Sequence, residues 1–80
     1  MQCHIYRSPR RRDSYLYLRE RDAFAALPPA LLASFGPPHY AFSFELHEGR
    51  ALAQADAATV RAALNTQGFF LQLPPPDPPT

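Results

Sequence analysis

Eighty residues make one small domain, and a chain of this size buries only about 60% of the surface it exposes when unfolded. An apolar fraction of 46%, with six phenylalanines and four tyrosines, is enough for a core and excludes a wholly disordered chain. The formal charge of +1 is too small to imply a nucleic-acid protein on balance alone.

In chain order, Gln2 to Arg7 reads as a first strand, with Cys3 and Ile5 on one face and His4 and Tyr6 on the other. Ser8-Pro9-Arg10-Arg11-Arg12-Asp13 is turn chemistry. Ser14 to Arg19 is a second strand, Tyr15 and Tyr17 opposite Leu16 and Leu18. The two strands form a hairpin with an arginine-rich tip. Asp22 is placed to N-cap a short turn through Ala26. Pro28-Pro29 opens a helix with Leu31, Leu32 and Phe35 as its apolar stripe, and Gly36-Pro37-Pro38 ends it.

Tyr40-Ala41-Phe42-Ser43-Phe44-Glu45-Leu46 alternates as a third strand, and its aromatic stripe is expected to pack as core. His47-Glu48-Gly49-Arg50 is a turn, and Leu52 is expected to anchor the loop beyond it. Asp56 is an N-cap for a helix from Ala57 to Thr66, with Val60 and Leu64 on its buried face and Gly68 after its end. Phe69 to Gln72 is the last strand, stopped by Pro74-Pro75-Pro76. The order ββααβαβ implies an α+β fold: a small four-stranded mixed sheet with helices on both faces. Residues 1–73 form the domain and 74–80 a proline-rich tail.

Cys3-His4-Ile5-Tyr6-Arg7-Ser8, Tyr15-Leu16-Tyr17, Leu32 to Pro37 with its Phe35-Gly36, and Gln67 to Pro76 together resemble the YcgL domain family of bacteria. The motifs run from residue 3 to residue 76. The resemblance implies a compact α/β/α sandwich around a four-stranded sheet. No biochemical activity is established for that family, so it implies a fold and not a function. Two departures stand out: Phe70 occupies a position where the family pattern leads one to expect tyrosine, and the tail after the prolines is short.

Cys3 is the single cysteine, so no intrachain disulfide can form, which fits a reducing compartment. The first residues lack the apolar segment of a signal peptide, and no apolar run approaches the roughly 18 residues of a membrane span. A soluble cytoplasmic protein is expected. Cys3 and His4 are adjacent on a strand, point to opposite faces and cannot pair as nucleophile and base. The cysteine and three histidines have no metal-ligand spacing, and no glycine-rich phosphate loop exists, so neither metal nor cofactor is expected.

Half of the eight basic residues, Arg7, Arg10, Arg11 and Arg12, lie within six positions and are candidates for anion binding, near Tyr6, Tyr15 and Tyr17. Asp13, Glu20 and Asp22 dilute that field, and a solvated turn whose charges maintain solubility is the plainer reading. Leu73 to Pro79 favours polyproline II, which can offer a preordered ligand to a partner or simply end an edge strand. Among the motif polar residues, Ser8, Tyr17, Gln67 and Gln72, with Pro74, Pro75 and Pro76, are candidates for a surface groove. The sequence names no catalytic residue. It reads as a small non-enzymatic binding or adaptor domain presenting the arginine hairpin and the proline tail to a protein partner. RNA or phosphoanion binding through Arg7 and Arg10 to Arg12 is the first alternative, and a small-metabolite enzyme with a cleft formed by the fold the second.

Overall fold

The computed structural model describes residues 1–47 and 56–73. Strands β1 (Gln2–Arg7) and β2 (Tyr15–Leu18) form the central hairpin of a four-stranded sheet. A 3-10 turn at Phe24–Ala26 and helix α1 (Pro29–Phe35) lead to β3 (His39–Glu45), and helix α2 (Ala57–Thr66) precedes β4 (Phe69–Gln72). The sheet order is β3-β1-β2-β4.

The α+β class, the four strands and the helices on both faces are as expected. The sheet is antiparallel throughout, however, and not mixed. The reason lies in the connections. β2 and β3 run in the same direction, but β1 sits between them, so the helical crossover never brings parallel strands side by side. α2 then carries the chain from the β3 edge to the opposite edge, where β4 meets β2 antiparallel.

Strand alternation divides the apolar side chains between two cores. Cys3, Ile5 and Tyr17 face α2 and pack with Leu46, Ala57, Val60 and Leu64. Tyr6, Leu16 and Leu18 face the other way and pack with Leu27 and Phe35. Fully burying such a side chain stabilises the fold by about 1.5–3 kcal/mol, so each layer contributes substantially to holding the helix over it. α2 starts where Asp56 accepts a hydrogen bond from the Thr59 amide at 3.1 Å and ends before Gly68, at φ +87°.

Two expectations fail. Asp22 caps nothing: it is left-handed, at φ +60°, and the Tyr6 hydroxyl holds it, donating to Oδ1 at 2.9 Å and accepting from its amide at 2.8 Å. The aromatic stripe of β3 is broken by a bulge. Ile5 pairs with Phe42 but Tyr6 pairs with Tyr40, leaving Ala41 as the extra residue. Tyr40 therefore turns onto the α1 side against Tyr6, rings 5.6 Å apart, while Phe42 and Phe44 stay on the α2 side. Tyr40 and Phe42 remain 43% and 49% exposed, so they are not core.

Candidate anion-binding cleft at the hairpin mouth

The loop from Ser8 to Ser14 folds through local hydrogen bonds. Ser8 Oγ accepts from the amides of Arg10 at 3.1 Å and Arg11 at 2.8 Å, the behaviour anticipated from turn serines. The same oxygen donates to the Phe35 carbonyl at 2.5 Å, which ties the loop to the end of α1. Arg10 Nη1 donates to the Ala33 carbonyl at 2.9 Å, and Arg11 Nε to Ser34 Oγ at 2.8 Å. The last carbonyls of a helix lack partners within it and carry the negative end of its dipole. Two of the four clustered guanidiniums thus serve α1. Gly36 makes this approach possible: a Cβ there would stand 3.0 Å from the side chains of both Pro9 and Arg10.

Arg7 and Arg12 are different. Both are exposed, and neither guanidinium has a hydrogen bond or ion pair among the described residues. They line a cleft of about 290 Å³ whose other walls are Ser8, Asp13, Ser14 and Tyr15. Ser14 is 2% exposed, and its Oγ is the one buried side-chain polar atom without a hydrogen-bond partner among the described residues. Burying a hydroxyl without a partner costs about 1–3 kcal/mol, so such an atom calls for a reason. Its backbone is engaged, the amide donating to the Arg11 carbonyl at 3.3 Å and the carbonyl accepting from the Ser8 amide at 3.4 Å. What the cleft presents is therefore two guanidiniums with no partner among the described residues, while the Ser14 hydroxyl is sealed from solvent.

The motif residues do not converge here. Tyr17 and Gln72 are buried, and the tyrosine hydroxyl donates to Gln72 Oε1 at 2.7 Å between β2 and β4. A surface-groove role for this pair is therefore corrected. Both side chains point to the α2 face, where the Tyr17 hydroxyl and Gln72 Oε1 satisfy each other. Burial pushes the Tyr17 phenol above its ordinary pKa, with smaller contributions from Cys3 and Tyr15. Gln67 is exposed and its Nε2 donates to the Phe69 carbonyl at 3.0 Å, a local contact after α2. Only Ser8 of the groove candidates reaches the cleft. Pro74, Pro75 and Pro76 lie outside the described residues, as do the turn beyond His47 and Leu52.

Cys3 is fully buried, and burial pushes its thiol up to about 11, the reverse of what a nucleophile needs. Sequence reasoning missed a hydrogen-bonded chain on the other face: His4 Nδ1 lies 2.7 Å from Ser43 Oγ, which lies 2.6 Å from the Tyr40 hydroxyl. The Arg21 guanidinium stacks 4.3 Å above the Tyr40 ring. These groups meet only through the β1–β3 register. Among the described residues no three His, Cys, Asp or Glu side chains gather as metal ligands, and no helix is long and apolar enough to cross a membrane.

A family model of the YcgL domain matches residues 3–75, nearly all of the folded chain just described. This chain belongs to the YcgL domain family. It is 51% identical over 76 residues to a YcgL domain-containing protein of Yersinia enterocolitica, covering 95% of this chain and 84% of that one. YcgL domain-containing proteins of Yersinia pestis and Yersinia pseudotuberculosis match at the same identity and coverage. The buried Tyr17–Gln72 pair and the Ser8 tie to α1 give the YcgL motif residues structural work. Phe70, at the departure from the expected tyrosine, packs edge-on against Tyr17 with ring centroids 5.7 Å apart.

Proposed function

We propose that this YcgL domain is a small non-enzymatic binding domain that captures an anionic group at the mouth of its β1–β2 hairpin. The single observation that carries the reading is a cleft flanked by the guanidiniums of Arg7 and Arg12, neither of which has a hydrogen bond or ion pair among the described residues. An anion would accept from both guanidiniums, and charge-assisted bonds of this kind are the strong ones. The reading narrows the arginine cluster to Arg7 and Arg12, because Arg10 and Arg11 already donate to α1. A cytoplasmic setting belongs to the same proposal, supported by the free, buried thiol of Cys3.

Titration with inorganic phosphate and with a short single-stranded RNA, at low salt and followed at backbone amides by NMR, tests this. Shifts centred on Arg7, Arg12 and Ser14, fading as salt rises, are expected for at least one ligand. If neither ligand moves those signals, or both act elsewhere, the reading is abandoned.

A further inference from the structure

We infer that the hydrogen-bonded chain on the α1 side of the sheet is a proton-directed relay, in which protonation of His4 reverses two hydrogen bonds and turns the Tyr40 hydroxyl outward as a donor. This chain lies apart from the hairpin cleft and does not depend on the anion reading. The first support is a count of hydrogens. Ser43 Oγ lies 2.7 Å from His4 Nδ1 and 2.6 Å from the Tyr40 hydroxyl. Both are hydrogen-bond distances, yet a serine hydroxyl has a single hydrogen. It donates to one neighbour and must accept from the other.

That leaves two arrangements, and the charge on His4 selects between them. With a neutral ring, hydrogens point from the most acidic group towards the most basic. An ordinary phenol titrates at about 10 and an ordinary imidazole at about 6.5. Tyr40 therefore donates to Ser43, and Ser43 donates to a bare Nδ1, the ring keeping its hydrogen on Nε2. In a protonated ring both nitrogens are donors. Nδ1 then donates to Ser43, Ser43 gives its hydrogen to the Tyr40 oxygen, and the Tyr40 hydrogen has no place within the chain. Tyr40 is 43% exposed, so that hydrogen meets water or a ligand. Only two hydroxyl hydrogens turn, and the heavy atoms stay where they are.

The second support is the bulge. Residues three apart on a regular strand face opposite sides of a sheet, so Tyr40 and Ser43 would never meet. The extra residue Ala41 inverts that parity and sets both on the face of His4, which is paired with Ser43 on β3 and with the uncharged Leu18 on β2. The charged groups near this face are engaged elsewhere. Glu45 pairs with the Met1 ammonium, Arg21 stacks on the Tyr40 ring and Asp22 accepts from Tyr6. Helix α1 carries no titratable side chain. The proton on His4 is what remains to set the direction. In acid, the face gains an outward hydrogen beside the Arg21 guanidinium and favours a hydrogen-bond acceptor; above the titration, Tyr40 offers only lone pairs.

The test is an NMR titration of the intact chain from pH 8 to pH 5, the range in which histidine changes charge, following the His4 ring nitrogens and Tyr40 Cζ. At the alkaline end Nδ1 should be the unprotonated nitrogen. Tyr40 Cζ should shift with the same midpoint as the His4 ring. Ser43→Ala removes the connecting hydroxyl and should abolish the Tyr40 shift while His4 still titrates, and His4→Gln should abolish it as well. Both positions are partly exposed, so both variants should fold, which their thermal midpoints will check. A hydrogen on Nδ1 at the alkaline end, a Tyr40 signal that ignores His4, or a Tyr40 response that survives Ser43→Ala would each overturn the inference.

Discussion

The hairpin tip has two sides, and they use the same residue type for opposite ends. On the side facing α1, Arg10 and Arg11 find acceptors on Ala33 and Ser34, Ser8 reaches the Phe35 carbonyl, and Gly36 lets the loop come close. On the side of the mouth, Arg7 and Arg12 have no partner among the described residues, nor does the buried Ser14 hydroxyl. A basic run is therefore not one feature. Its members divide according to whether an acceptor from elsewhere in the chain lies within reach, and the unsatisfied remainder is where a ligand is to be sought.

The sharpest way to break this division is Gly36→Ala. The added Cβ meets Pro9 and Arg10, and φ +83° with ψ −177° is a conformation almost restricted to glycine. A loss of about 3 kcal/mol in chemical denaturation is expected; an unchanged midpoint would mean the loop does not dock on α1 as described. Ser8→Ala comes next, since one oxygen serves two amides and a carbonyl, and should destabilise by about 1–2 kcal/mol in the same measurement. Replacing Arg10 and Arg11 together by alanine should cost about 1 kcal/mol, because these contacts are exposed and each is modest. Arg7→Ala and Arg12→Ala should change stability by less than about 0.5 kcal/mol. If that last pair destabilises as much as the Arg10 and Arg11 pair, the two sides of the tip are not distinct.

Much of the fold was legible because its signals are local. Asp56 and Gly68 bracket α2, Pro29 and Gly36 bracket α1, and the alternation of Cys3 and Ile5 against His4 and Tyr6 assigned faces correctly. What escaped depends on distant partners. Arg10 and Arg11 find their acceptors 23 positions away, so their side chains looked free when they are not. Asp22 carried a capping residue's chemistry, but the Tyr6 hydroxyl, 16 positions back, captured it. Ser14 entered the sequence reading only as the first residue of the second strand. Among the described residues nothing answers its hydroxyl, and that becomes visible only once the loop has closed around it. The mixed sheet failed for a similar reason: the direction of each strand could be guessed, but the insertion of β1 between β2 and β3 could not.

The bulge at Ala41 has a consequence for how the molecule behaves among its own copies. β3 is an outer strand of seven residues, and a regular one would carry Tyr40, Phe42 and Phe44 in a single row on one face. Such a row is a template on which further chains can stack. The extra residue sends Tyr40 to the opposite side and kinks the strand at its middle, so that no flat aromatic ribbon is presented to a second molecule. Deleting Ala41 would restore the row, and the first symptom would be loss of solubility at high protein concentration.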